Sequence, residues 1–194
     1  MQMRTDVVAP AGTGLIQLAN LWWVALAFAV MAAVIVWGDL WVLNFLHVLT
    51  GLLWTGIDLF MGFVLGPILR HVDLPVRRAI VTRLMPRMIF IMPTLSIVAP
   101  TTGWFLAGQL GFLDLPWPQM GWTVAALAIS TILAIQGLGV LLPTNLSVCF
   151  ELAKAEPDFA KLGRRMRRYL WTIASQGVMQ VAIILVMARF ATGI

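Results

Sequence analysis

Residues 41–69 read WVLNFLHVLTGLLWTGIDLFMGFVLGPIL, and this stretch decides the fold. An apolar run of about 20 residues crosses the hydrocarbon core of a membrane as a helix, because a helix satisfies its backbone hydrogen bonds internally. This run is longer, so we expect its helix to tilt or to protrude from the bilayer. Its ionisable side chains are His47 and Asp58, and they become the first candidates for function.

The composition places the whole chain in the same class. Of its 194 residues, 61% are hydrophobic and 11% are charged, whereas a soluble domain carries about 45–50% apolar and about 25% charged residues. That balance leaves too little polar surface for a soluble enzyme. Four further apolar runs accompany the first one. The sequence therefore predicts an all-α integral membrane protein, a single domain over residues 1–194 with about five transmembrane helices, at 15–37, 41–69, 85–109, 120–143 and 169–191.

The basic residues set the predicted orientation. The chain has 13 Lys and Arg residues and a net charge of +5, and most of these basic residues lie within 70–87 or 154–168. The other two loops carry none. The positive-inside rule then places the basic loops, 70–84 and 146–168, in the cytoplasm, with the N-terminus inside and the C-terminus outside. We expect a multi-pass protein of a bacterial inner membrane, with the lipid bilayer rather than a nucleic acid as its partner.

The second basic segment, 146–168, leaves two readings open. It fits an amphipathic interfacial helix whose arginines contact anionic lipid headgroups. The simpler reading, that these charges only determine the topology, is preferred over specific lipid recognition.

Polar side chains inside a bilayer are costly, so each one is a candidate for function. Asp58 lies about seventeen residues from the outer end of its span. Gln136 and Gln176 fall in the same cytoplasmic half of their own spans, and Gln180 lies one turn further along. We expect an inward-facing polar cluster of these four residues. The alternative is that the amides only satisfy Asp58 and hold the helices together.

His47 lies in the outer half of the same span. Eleven residues separate it from Asp58, close to three helical turns, so the two share one face at a separation of about 16 Å. Thr50 and Trp54 belong to that face, and Thr101 and Thr102 lie at a similar depth on the next span. An imidazole here suits an axial ligand of haem iron, and it suits equally a hydrogen-bonding bundle residue or a proton relay.

The only other histidine cannot complete a bis-histidine site. Twenty-four residues separate His71 from His47, which is about 36 Å along a helix. Four further residues are expected to shape the packing. Gly62 and Gly66 have the small-xxx-small spacing that lets a neighbouring helix approach, and Pro93 and Pro100 each remove a backbone donor from the third span.

The second and third spans resemble a haem-associated membrane superfamily. The pattern is Leu46-His47, Trp54 seven residues later, and a stretch that ends in Pro67 and Leu69-Arg70-His71. The superfamily includes the HemJ-type protoporphyrinogen oxidases, the CopD-type copper-resistance domains and the membrane domain of the PuuD-type urate oxidases. Arg83–Arg87, Ile91-Met92-Pro93 and Gly103 are similar to the HemJ type. Leu142–Asn145 and the helix around Ser175 are more similar to the urate-oxidase domain.

This resemblance covers about residues 41–190 and implies a helical bundle with haem b. The HemJ-type histidine, a haem ligand, falls on His47. His47, Thr50, Trp54, Thr101 and Thr102 are thus the candidate cofactor-binding residues, and electron transfer is the expected activity. The partner would be a quinone or a membrane oxidoreductase, and a homo-oligomer is possible.

The chain also departs from the pattern. It has an extra N-terminal span and lacks further intramembrane histidines or lysines, so porphyrinogen oxidation and copper uptake are not expected. Two other functions stay open: a cofactor-free accessory or scaffolding subunit of a larger membrane complex, and a small transporter that uses the Asp58 cluster.

Overall fold

The computed structural model describes residues 16–152, 154 and 158–193. Across these residues the chain is helical and has no β-strand. The elements, after a short 3₁₀ turn at Leu18–Asn20, are α1 (Leu21–Trp37), α2 (Leu40–Leu59), a first π segment (Phe60–Leu65), α3 (Gly66–His71), α4 (Leu74–Gln109), α5 (Met120–Gln136), a second π segment (Gly137–Leu141), α6 (Leu142–Leu152) and α7 (Phe159–Ala191).

Among the residues that the structure describes, five continuous helical stretches are long and apolar enough to cross a membrane. They are Leu18–Trp37, Leu40–His71, Pro75–Gln109, Met120–Glu151 and Gly163–Ala191. The prediction of an all-helical chain with five helices of spanning length is therefore confirmed. Asp39 begins the second stretch, because its side chain caps α2 by accepting a hydrogen bond from the Val42 N–H at 2.8 Å.

Both basic segments are largely helical in the structure. Residues 74–84, assigned to a loop, form the first turns of α4, and only Val72 and Asp73 separate α4 from α3. The segment 146–168, for which a helical reading was left open, is largely helical: 146–152 end α6 and 159–168 begin α7. Residues 153 and 155–157 lie outside the description. Arginine is a good helix former, so its charge ends an apolar run without ending the helix.

Four of the five stretches form the bundle. α4 packs against α2 on one side and against α5 and α6 on another, and α7 closes the ring by packing against α2 and α5. α1 lies outside this ring against α4 and contributes no buried residue. In the middle of the bundle Trp54, Leu95, Ala99 and Leu133 form one buried group, which we call the central apolar cluster.

Each π segment precedes a proline by two residues. Within the wide turns the Gly66 N–H bonds the Met61 carbonyl and the Leu142 N–H bonds the Gly137 carbonyl, five residues back. Pro67 and Pro143 favour this widening, because a proline has no N–H and its ring clashes with the carbonyl four residues earlier. In α2–α3 and in α5–α6 that carbonyl lies within the π segment.

α4 remains an α-helix through Pro86, Pro93 and Pro100. Hydroxyl groups bond the carbonyls around these prolines: Ser96 donates to Pro93 at 3.0 Å, and Thr102 donates to Val98 at 2.8 Å. These bonds add side-chain donors to the turns beside the prolines, although they do not go to the carbonyls four residues before Pro93 and Pro100.

Candidate functional site

His47 lies against the backbone of α4. Its Nδ1 is 2.9 Å from the Ala99 carbonyl oxygen, and because a carbonyl only accepts, Nδ1 carries the hydrogen. The ring also lies directly over Gly103. A methyl group at that position would come within 2.7 Å of His47 Cε1 and 3.0 Å of Nδ1. The missing side chain of Gly103 is thus what lets the imidazole reach α4.

The predicted neighbours of His47 divide into two groups. Thr102 is fully buried, and its one hydroxyl proton lies between the Val98 carbonyl at 2.8 Å and the Ala99 carbonyl at 3.0 Å, the second of which also accepts from the imidazole. Thr50 is buried and donates to the Leu46 carbonyl at 2.7 Å within its own helix. Both hydroxyl protons are therefore committed to the backbone. Thr101 is half-buried, and Trp54 belongs to the central apolar cluster and to the surroundings of Asp58.

The His47 geometry can be compared with what haem iron requires of an axial ligand. A ligating histidine donates its other ring N–H to a carbonyl or carboxylate, which fixes the ring orientation. His47 meets this requirement, since Nδ1–H is held by Ala99 and Nε2 is left for a metal. The interior side of the ring is filled by α4, so a porphyrin would have to approach from the half-exposed side. No group of three or more His, Cys, Asp or Glu side chains suited to a metal ion occurs in the described ranges.

Asp58 is the centre of a second, deeper site. Its side chain is 4% exposed, and its Oδ2 accepts a hydrogen bond of 2.7 Å from Gln180 Nε2, across from α7. The Trp54 indole, one turn earlier on α2, lies beside this carboxyl group in the same cavity lining. A buried carboxyl group needs a donor such as Gln180, because leaving one without any costs several kcal/mol.

The glutamines around Asp58 have unpaired oxygens. Gln176 is fully buried, and its Nε2 donates to the Leu133 carbonyl at 3.1 Å. Because nitrogen must face that carbonyl, the Gln176 Oε1 is fixed on the opposite side, where no partner is found among the described residues. The amide oxygens of Gln180 and Gln136 are likewise buried without a partner there. Asp58 therefore meets Gln180 directly, by the hydrogen bond from Gln180 Nε2, and shares the lining of one cavity with Gln176. Gln136 is half-buried and belongs to neither contact.

A cavity of about 20 Å³, measured as the space open to the centre of a water molecule, lies beside Asp58. Trp54, Asp58 and Gln176 line it, and so do Asn145 and Tyr169. The last two were missing from the predicted site. Asn145 adjoins the segment assigned to a loop. Tyr169 lies seven residues before Gln176, two helical turns on the same face, and that spacing is the signal in the sequence that points to it.

The predicted packing residues have different roles. A Cβ at Gly62 would lie 3.4 Å from Ile173 Cγ2, so this glycine admits α7 to close contact with the second span. At Gly66 the nearest atom is the Met61 carbonyl oxygen of the same helix, at 3.1 Å. Pro93 lines the Asp58 cavity, and Pro100 follows Ala99, whose carbonyl holds His47.

Comparison of the chain with protein-family models, with curated proteins and with solved structures finds no match. The superfamily resemblance of the two central spans therefore stays a prediction, and the argument for function depends on the two sites.

Proposed function

We propose that this chain is a multi-pass inner-membrane protein that binds haem b through His47 and takes part in electron transfer. Its N-terminus and basic helix ends would face the cytoplasm, by the positive-inside rule. In that orientation His47 lies in the outer half of the bilayer, about 10 Å along α2 from its outer end.

One observation carries the proposal: the orientation of the His47 ring. The hydrogen bond from Nδ1 to Ala99 and the bare backbone at Gly103 hold the imidazole in one position. This is the arrangement by which proteins fix the tautomer of a metal-bound histidine. In the proposal, Ala99 and Thr102 orient the ligand, and the bound haem would supply one-electron chemistry.

The same observation favours a particular location for the cofactor. Phe45 and Val48, which flank His47 on α2, are more than half exposed, and they leave an apolar surface beside the ring. A haem ligated by His47 would rest on this surface. A second copy of the chain or a membrane oxidoreductase would then cover its other face and exchange electrons with it.

The test is a visible spectrum of the purified protein in detergent, oxidised and reduced, after expression with ample haem. We expect a Soret band that His47→Ala removes. His71→Ala is the matched control. His71 makes a similar bond, from Nδ1 to the Pro67 carbonyl at 2.8 Å, but it is exposed at the end of the bundle that carries most of the basic residues, which we call the basic end. Folded wild-type protein without a Soret band would overturn the haem proposal and favour a cofactor-free accessory subunit. A band that survives His47→Ala would overturn the ligand assignment.

A further inference from the structure

The residues that line the cavity beside Asp58 are spread along the axis of the bundle. On α4 its lining runs from Ser96 to Met88, and on α7 it runs from Gln176 to Tyr169. Each of these intervals is about 10–12 Å along a helix. Followed in this order, both intervals run toward the basic end of the bundle. Arg87 and Arg168, the neighbours of Met88 and Tyr169 in the sequence, are exposed there.

The opposite side of Asp58 is closed. The central apolar cluster packs over the carboxyl group on the side of His47, with Trp54 between the two polar residues. Trp54 is 6% exposed and Leu133 is 3% exposed. The cavity therefore lies between this cluster and the basic end, where two further apolar groups, around Met85 and Ile173, pack beside it.

The polar groups around the cavity lack donors. Gln176 Oε1 and Gln180 Oε1 are buried acceptors without a partner among the described residues. Buried polar atoms are nearly always hydrogen-bonded to protein or to ordered water. The volume of about 20 Å³ exceeds the 10–15 Å³ that one water molecule needs. Of these two residues only Gln176 lines the cavity. Water in the cavity would supply the donor that Gln176 Oε1 lacks and would connect this oxygen to the carboxyl group.

We propose that this cavity is a water-filled inlet that delivers protons from the basic end of the bundle to the Asp58 carboxyl group. Asp58 is the terminal acceptor, Gln180 holds it by a hydrogen bond, and Gln176 orders the water. Tyr169 is the other ionisable residue in the lining, and α4 and α6 contribute only neutral residues to it. A proton is favoured over a divalent metal ion because the lining offers a single carboxylate and otherwise neutral groups. The inlet uses none of the haem-ligating residues and does not depend on the haem proposal.

Infrared spectroscopy tests the acceptor. We expect a carboxylic C=O band that disappears as the pH is raised and is absent from Asp58→Asn. Thermal unfolding shows whether that variant is folded; if it is not, Asp58→Glu serves instead and should shift the band rather than remove it. The chain has eight Asp and Glu residues, so the band is read from the difference between the spectra of the wild type and of the folded variant; no carboxylic difference band at any pH would overturn the proposal.

Transfer to D₂O tests the inlet. The carboxylic band of Asp58 should shift to lower frequency quickly, because water in the cavity exchanges its proton. Asn145→Leu puts an apolar side chain into the lining and should slow this exchange. Thr123→Val is the matched control, because Thr123 is equally buried but donates to the Phe112 carbonyl, far from the cavity. Equal exchange rates in the wild type and in both variants would overturn the inlet while leaving Asp58 as a protonation site.

Discussion

Replacing Gly103 with alanine should disturb His47 more than any other single methyl group described above. The new Cβ would lie 2.7 Å from His47 Cε1, and ordinary contact begins at 3.4 Å. The imidazole must therefore retreat by about 0.7 Å, a shift that stretches the 2.9 Å bond from Nδ1 to Ala99 beyond hydrogen-bonding distance.

The loss of stability follows from two effects, the overpacking around the new methyl group and the loss of the hydrogen bond from His47. Overpacking a well-packed interior costs about 1–3 kcal/mol. A hydrogen bond between membrane helices contributes about 0.6 kcal/mol on average. Against this, alanine improves helix propensity by about 1 kcal/mol. We expect Gly103→Ala to be about 2 kcal/mol less stable than a glycine-to-alanine change on α4 that causes no clash.

Gly108→Ala is that control, because a Cβ at Gly108 meets only Leu113 Cδ1, at 3.8 Å. The assay is reversible unfolding in mixed micelles, where about 2 kcal/mol is close to a 30-fold change in the equilibrium. A double-mutant cycle isolates the cause. In the His47→Ala background the clash is gone, so Gly103→Ala should behave like Gly108→Ala. If Gly103→Ala costs the same with and without the imidazole, the reasoning about this contact is wrong.

Three further changes test other parts of the bundle. Gln180→Leu removes the 2.7 Å bond to Asp58 and should lower the free energy of unfolding by about 1–3 kcal/mol; unchanged stability would mean that Asp58 does not need this donor. Gly62→Leu should displace Ile173 from its contact and cost about 1–3 kcal/mol, whereas Gly62→Ala, at 3.4 Å, should be nearly neutral in the same unfolding assay. Pro143→Ala returns an N–H to the second π segment and should raise the melting temperature, since a proline inside a helix costs about 3 kcal/mol; a lower melting temperature would show that the π turn is held by tertiary contacts.

The spanning helices were predictable because apolar length reports directly on them. The helical structure of their basic ends was not predictable from apolar length. Arginines end the apolar run, but the chain continues as the α4 helix through 74–84. The π segments were also missed. Pro67 and Pro143 are visible in the sequence, yet Pro86, Pro93 and Pro100 sit within a regular α-helix, so a proline alone does not predict a π turn.

The polar site was predicted in part. Depth counting brought Asp58, Gln176 and Gln180 together, because side chains at equal depth on neighbouring helices meet in the bundle. Trp54 could not be assigned by counting, since it shares a face with both His47 and Asp58, and its place beside Asp58 follows from how α4 packs on α2. Gln136 has the right depth but not the orientation toward the cavity, and orientation depends on the rotation of a helix about its axis.

The central apolar cluster has an electrical consequence. Voltage across a membrane falls mainly where water is excluded, and moving one elementary charge through 100 mV is worth about 2.3 kcal/mol. With water reaching Asp58 from the basic end, the dry layer formed by Trp54, Leu95, Ala99 and Leu133 would carry a large share of that fall. A proton that arrives at Asp58 would then do little electrical work, whereas a charge that passes between Asp58 and His47 would cross most of the field.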